Sequence, residues 1–260
     1  MTLYQGMIVT WSILFLAPSS SWAQSIVAAV LPSSRSVQVG TFATAFATII
    51  NAGSVTATSC GISLVTAIPA TFSFQTTNPL TNQIIGSPNT PVNIPPGAAQ
   101  SFVFALRPNS PIAPTDVQFS FDCSNTNPAP VNTGLNTLLL SASNTPVPDI
   151  VALAVTTTND GIVNVSGTNG NGAFAVATVN VGASGSITAS ADTGGASLPV
   201  NLSLCQTNPG TGQCISGIGS SVTTQINANA TPTFAIFVQG GWQCSLRSGG
   251  EPDLCAVQRR

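Results

Sequence analysis

The sequence contains no histidine and no lysine, and only 5% of its 260 residues are charged. Without histidine the commonest general base, the usual zinc ligand and an imidazole pH switch are all missing. Five arginines stand against seven acids, a net charge of −2, so no basic patch exists to neutralise phosphates and nucleic acid is excluded as a partner. A nucleophilic serine would lack its base, and no G-x-S-x-G elbow occurs. Hydrolysis by paired carboxylates needs two facing acids. Asp116 and Asp122 share a strand face but sit about 20 Å apart along it, which makes them solvated strand residues. The run Gly167-Thr-Asn-Gly-Asn-Gly172 lacks the lysine and helix of a phosphate loop. Neither Asn159-Asp160-Gly161 nor Asp192-Thr193-Gly194 has the acid density of a calcium loop. No catalytic, cofactor-binding or metal-ligating residue is therefore assigned, and no cofactor is expected. No apolar run reaches the roughly 20 residues of a transmembrane helix, although the mean hydropathy is +0.37.

Aromatic residues other than phenylalanine are also scarce. Tyr4 is the single tyrosine, and Trp242 is the only tryptophan beyond residue 22. A stacking platform for sugar rings is thus absent, though Asn- and Thr-rich loops retain hydrogen-bonding capacity for a glycan.

What is present is core material: 43% of residues are hydrophobic, 12 of them Phe. Residues 8–17 (IVTWSILFLA) form a short apolar stretch, and Ser21-Trp22-Ala23 fits the small-x-small rule of leader cleavage. Residues 1–23 are read as a signal peptide without the usual preceding positive charge. The expected location is secreted, periplasmic or at the cell surface, where cysteines pair.

Beyond residue 24 the pattern has period two. Val117, Phe119, Phe121 and Cys123 share one face of a run, as do Phe102, Phe104 and Leu106, and Val200, Leu202 and Leu204. Phe42, Phe46 and Ile50 mark a face of FATAFATII. Turn chemistry at Asn51-Ala-Gly53, Pro95-Pro-Gly97, Asn159-Asp-Gly161 and Asn208-Pro-Gly210 separates these runs. Many short strands with close turn signals predict an all-β antiparallel sandwich or barrel.

The sequence also resembles itself. Residues 73–85 lie over 203–215 at an offset of 130, with Ser, Thr, Asn, Pro, Thr, Gln and Ile in common. The same offset sets Ala45–Ile49 on Ala175–Val179, and Ser101–Leu106 matches Thr233–Val238 with a slight shift. We read two tandem copies of one β-domain, 25–145 and 147–240, with a stiff linker near Asn144-Thr-Pro-Val-Pro-Asp149.

Phe46-Ala-Thr-Ile-Ile-Asn51-Ala-Gly53, followed by Ile94-Pro-Pro-Gly97 and Ser101-Phe-Val-Phe-Ala-Leu-Arg-Pro108, resembles bacterial immunoglobulin-like domains of the CARDB and ASPM–SPD-2–Hydin type. It covers about residues 34–143. The second copy matches in part: Val181 stands at the turn Asn and no Pro-Pro-Gly survives. The resemblance implies a surface or periplasmic sandwich for adhesion, spacing or ligand presentation, with no catalytic residues to carry over.

Six cysteines allow fifteen pairings. Their positions within the copies suggest Cys60 with Cys123 and Cys205 with Cys214; buried free thiols are the alternative. From Gly241 the composition changes: residues 241–260 hold the only Glu, three of the five Arg, Cys244 and Cys255. Counterparts of the strands at 115–123 and 135–140 should fall here, and neither appears. A shifted reading frame in the gene accounts for this tail; a genuine polar tail stapled by Cys244–Cys255 is the other reading. The second sandwich is expected to be incomplete at its C-terminal end, with an open edge that promotes self-association.

The expected function is a non-enzymatic exported bacterial structural or interaction module with an unidentified protein or glycan partner. The alternatives are an accessory carbohydrate-binding module, or the non-catalytic N-terminal part of a larger secreted protein or enzyme.

Overall fold

The computed structural model describes residues 25–166, 169–194, 196–241 and 254–258. The leader reading at 1–23, Cys244 and most of the 241–260 tail lie outside the described residues. Within them all regular structure is strand, and no helix is long and apolar enough to cross a membrane.

Nine strands make the first half: β1 (Ile26–Leu31), β2 (Ser34–Gln38), β3 (Ala43–Asn51), β4 (Ala57–Leu64), β5 (Ala70–Thr77), β6 (Val92–Ile94), β7 (Ala99–Pro108), β8 (Ile112–Asp122) and β9 (Thr137–Ser143). They form two sheets, ordered β1-β3-β7-β5 and β2-β9-β8-β4-β6. All pairs are antiparallel except β2 with β9. Residues from both sheets meet in one continuous core. Alternation delivers that core as the sequence pattern implies: Val117, Phe119, Phe121, Phe102, Phe104 and Leu106 are each at most 1% exposed. The rings of Phe104 and Phe119 meet across the sheets with centroids 4.8 Å apart.

One face is reversed from what bulk alone suggests. β3 buries Ala43, Ala45, Ala47 and Ile49 and turns Phe46 and Ile50 to the outside. The phenylalanines of β7 and β8 already fill the space between the sheets. Only small side chains on β3 can interdigitate with them, so the large ones face out.

The second half contains β10 (Ile150–Val155), β11 (Ile162–Ser166), β12 (Asn171–Asn180), β13 (Gly185–Ser190), β14 (Val200–Thr207), β15 (Ser221–Ile226), β16 (Thr233–Gly240) and β17 (Leu254–Gln258). A sheet ordered β10-β12-β16-β14 follows the connectivity of β1-β3-β7-β5. The remaining strands are two separate pairs, β11-β17 and β13-β15. Thus a strand does form in the tail, where the sequence pattern shows none; β17 finds its place by pairing antiparallel with β11. Among the described residues nothing takes the place of β8, which in the first half joins β9 to β4.

The two halves correspond at the level of single hydrogen bonds. In the first, Asn51 Nδ2 donates to the Val55 and Ile94 carbonyls, while the Gly53 N–H donates to Asn51 Oδ1 at 2.9 Å. In the second, Asn180 Nδ2 donates to the Ala183 carbonyl, and the Gly182 N–H donates to Asn180 Oδ1 at 3.0 Å. The turn asparagine is therefore Asn180, and Val181 matches Ala52 rather than replacing the asparagine. Here the offset is 129, not 130. Side chains alternate with period two, so a one-residue slip would exchange the buried and exposed faces of β12. The offset of 129 sets Phe174 and Val176 on the inward Ala45 and Ala47. The Pro-Pro-Gly turn likewise survives in shape: Asn229 at φ 62° replaces Gly97 at φ 68°, and both accommodate the left-handed region. The loop after β5 recurs too, with Asn78 and Asn208 each donating N–H to a glutamine carbonyl at 2.8 Å.

Between the halves, Asp149 is a joint. Its carboxylate accepts from Arg35 Nε at 2.9 Å and from the Ser36 N–H at 2.9 Å, and its own N–H donates to Asn180 Oδ1 at 3.0 Å. Arg35 Nη2 lies 2.8 Å from the same carboxylate. The backbones are close enough that a Cβ on Gly182 would lie 2.4 Å from the Val147 carbonyl oxygen. The linker is held by packing and charge as well as by its prolines.

Candidate functional site

The outward residues of β1 and β3 come together because the register pairs Val27 with Ile50 and Leu31 with Phe46. Phe42, just before β3, extends the row. All five are 41–58% exposed. Single exposed apolar residues are ordinary; here two apolar pairs, Val27 with Ile50 and Leu31 with Phe46, share one sheet face on either side of Ala29 and Thr48. At its end the Arg107 guanidinium lies over the Phe42 ring, 5.6 Å from the centroid, while Nε donates to the Gly40 carbonyl at 2.8 Å. A shallow pocket of about 230 Å³ adjoins this pair, between Gly40, Thr71, Arg107 and Asn109. Aromatic residues beside an arginine are the composition of binding hot spots. The face is weaker in the second half: Leu153 and Val155 are exposed there, but opposite Ala177 and Ala175.

The sequence pattern marks Phe42, Phe46 and Ile50 as one face, and the structure places that face outside. The available signal was on the other face: positions 43, 45 and 47 are all alanine, small enough to lie beneath the phenylalanines of neighbouring strands.

A second concavity, about 340 Å³, lies over β4 and β8 beside a disulfide, with Ser59, Ser63, Phe74, Asn89, Ser120 and Asp122 around it. Its polar groups are engaged locally: Asn89 Oδ1 accepts from the Phe74 N–H, and Asp122 Oδ1 accepts from the Cys123 N–H. The structure does not bring the two strand acids together, since Asp116 lies opposite Leu139 and Asp122 opposite Gly61. Among the described residues no group of three or more acids, cysteines or histidines could hold a metal ion.

Cys60 is bonded to Cys123 and Cys205 to Cys214. The first pair is buried and ties β4 to the end of β8. The second joins buried Cys205 to exposed Cys214 across the loop that follows β14. By loop-closure entropy the longer link contributes about 4 kcal/mol and the shorter about 3. Cys255 lies on β17 opposite Val165.

Asp160, in the turn from β10 to β11, is fully exposed. The Thr158 hydroxyl, and after it the Ile162 N–H, hold its carboxyl below the ordinary carboxylate value.

No family model matches the chain, and no curated protein matches it. Among solved structures the chain is similar to the secreted serine protease VesC from Vibrio cholerae, at 12% identity and a TM-score of 0.24, covering 82% of this chain and 46% of that one. A likeness at that level carries no argument about fold or chemistry.

Proposed function

We propose that the chain is a non-enzymatic exported module of two tandem immunoglobulin-like sandwiches that presents a protein-binding face. The face of β1 and β3 carries this reading: five large apolar side chains and Arg107 are held in the open by a core that has no room for them. Supporting the fold, strands lettered in chain order give A-B-E-D in one sheet and place C, F and G together in the other, the order of immunoglobulin sandwiches. In the first half β2 adds to strand G and β6 to strand C. The shared order of the leading sheets and the shared turn asparagines support a tandem repeat. Two disulfides support an oxidising compartment, hence export. The Arg35–Asp149 joint suits a spacer, because it fixes the direction in which the face points.

Photo-crosslinking in the source cell tests the reading. A photoreactive residue at position 46 should capture a protein that the same residue at position 73, on the opposite edge of the sheet, does not. Equal capture at both positions, or none at either, would count against it. The serine-lined concavity over β4 supports a second reading, glycan binding by the first half. Retention on a glycan array that is lost on Asn89→Ala, while Phe46→Ser binds as before, would favour that reading.

A further inference from the structure

Three outward side chains form a row across one end of the leading sheet of the first half. Arg107 of β7 is paired with Thr71 of β5, and Phe42 stands on its other side, just before the pairing of Ala43 with Leu106. The equivalent row in the second half is Asn171, Gln239 and Asn201, set side by side on β12, β16 and β14. All six residues are exposed. The fold is therefore served at this place by three neutral side chains, and neither the ring nor the charge is needed to hold the sheet. In the first half both are nevertheless fixed. Arg107 Nε donates to the Gly40 carbonyl at 2.8 Å, and its guanidinium lies over the Phe42 ring. Arg107 is also the single charged residue in β1, β3, β5 and β7. Arg35 is committed to Asp149, the one ion pair among the described residues.

We infer that Arg107 is a carboxylate-binding site, and that the partner of the β1–β3 face is a peptide segment presenting an aspartate or glutamate side chain to it. This rests on the reading of that face as a protein-binding surface. The reason is electrostatic. A partner that covers Phe42 also strips water from the guanidinium stacked on it. Burying that charge without a counter-charge is costly, so the partner must bring an anion. With Nε engaged by Gly40, the two Nη groups can donate in parallel, which matches the two oxygens of a carboxylate. Thr71 and Asn109 border the adjoining pocket and can donate to the same oxygens. A phosphoryl group would bring a second negative charge to a single cation, so the match is with a carboxylate. The next outward row is small: Thr44 and Ala105 are paired, with Phe42 and Phe46 on either side along β3. It lies about 7 Å from Arg107, two residues of an extended chain. An aliphatic side chain two places from the acid fills that furrow, so the occupant reads acid-x-aliphatic.

The test uses the isotope-labelled full chain and the blocked peptide acetyl-Glu-Ala-Leu-amide, followed by nuclear magnetic resonance. Saturable shifts should appear at Arg107 Nε and at the Thr44 and Ala105 amides, with Gln239 unmoved. Replacing glutamate by glutamine in the peptide should weaken binding at least tenfold. Arg107→Gln installs the residue type that the second half carries. It should weaken the glutamate peptide at least tenfold and leave the glutamine peptide unchanged. Added salt should weaken the glutamate peptide alone. A chain with Glu251→Gln and Asp253→Asn, which lacks the acids of the tail, should bind as the parent does. Equal binding of the two peptides to the parent chain or shifts confined to other residues would overturn the inference. So would equal affinity for acetyl-Ala-Leu with a free chain end, or tenfold tighter binding once the tail acids are removed. The contrast between glutamate and glutamine is read on the parent chain and stands whether or not a variant folds. Crosslinking at position 46 can fail while that contrast holds, which removes the cellular partner and leaves the carboxylate site. Loss of the contrast with crosslinking intact removes the site alone.

Discussion

The first half closes its two sheets around one core with six phenylalanines within contact of one another, while the second half divides its buried residues between two small clusters. Yet the strand order of the leading sheet and the turn that ends β3 or β12 are the same in both. Connectivity and turn chemistry thus specify the fold even where core packing is thin. Packing sets how firmly it is held. The difference falls on β8: a single alternating strand supplies Val117, Phe119 and Phe121, and with them one side of the core.

The sharpest way to break this comparison is to truncate matched core residues. Phe104 and Ile236 occupy equivalent register positions, opposite Ala45 and Phe174. Phe104→Ala should cost about 4 kcal/mol, since a large side chain is lost from an interior that is closed on both sides. Ile236→Ala should cost about 2 kcal/mol, the low end for such changes, because it belongs to a small cluster whose partly buried neighbours Phe174 and Val176 can relax into the space. Urea unfolding followed by hydrogen exchange in each half would measure both. Equal losses would show that the second core is as complete as the first.

Next in size is the joint. Asp149→Ala leaves Arg35, whose side chain is only 12% exposed, without its carboxylate. Breaking one partner of a largely buried pair should cost about 3 kcal/mol, more than the pair contributes net. The double variant Arg35→Met with Asp149→Ala should recover most of that loss in a mutant cycle. Small-angle scattering should show Asp149→Ala to be more extended than the parent. An unchanged scattering profile together with unchanged stability would mean that the halves are held by something other than this pair.

Much of the architecture was legible because β residues reveal their two faces. The runs around Phe102 and Phe119 alternate strictly, and both are buried as read. Bulk misleads in β3, where the direction of a face depends on what stands opposite, and opposition is a tertiary fact. The joint was hidden for the same reason: Asp149 and Arg35 are remote in sequence, and nothing local at either marks the other. The turn asparagine at 180 escaped because a constant offset was carried across a one-residue deletion. The burial alternation of β12 decides the register, and only the folded chain displays it. The outer face was legible as residues, but not that it points outward.

A smaller effect sharpens the same correspondence. Gly97 and Asn229 both hold positive φ in matched turns, so either residue type should serve at either place. Gly97→Asn and Asn229→Gly should each change stability by less than about 0.5 kcal/mol. Gly97→Ala and Asn229→Ala should each lose about 1 kcal/mol, because Cβ crowds the carbonyl without the local hydrogen bonding that asparagine offers. Thermal melting resolves the contrast. An alanine tolerated at one site and not the other would mean that the turns differ in more than residue type.

The smallest expected effect separates the halves by pH. The connection from β10 to β11 contains Asp160, whereas the shorter connection from β1 to β2 contains Pro32 and Ser33, neither of which titrates. The Thr158 hydroxyl and the Ile162 N–H favour the carboxylate of Asp160, so its folded value is lower than its unfolded one. Its contribution is therefore fully present above the unfolded value of 3.8 and is lost as pH falls through the lower, folded one. Because the group is fully exposed, the change should be confined to its own turn. Carboxyl chemical shifts should place the Asp160 midpoint below the ordinary aspartate value, and Asp160→Asn should remove the acid-side loosening of the Ile162 amide. The β1–β2 connection should remain indifferent over the same range. An Asp160 midpoint at or above the ordinary value would mean that the hydroxyl and amide do not hold the carboxylate in solution, and the pH contrast between the two connections would disappear.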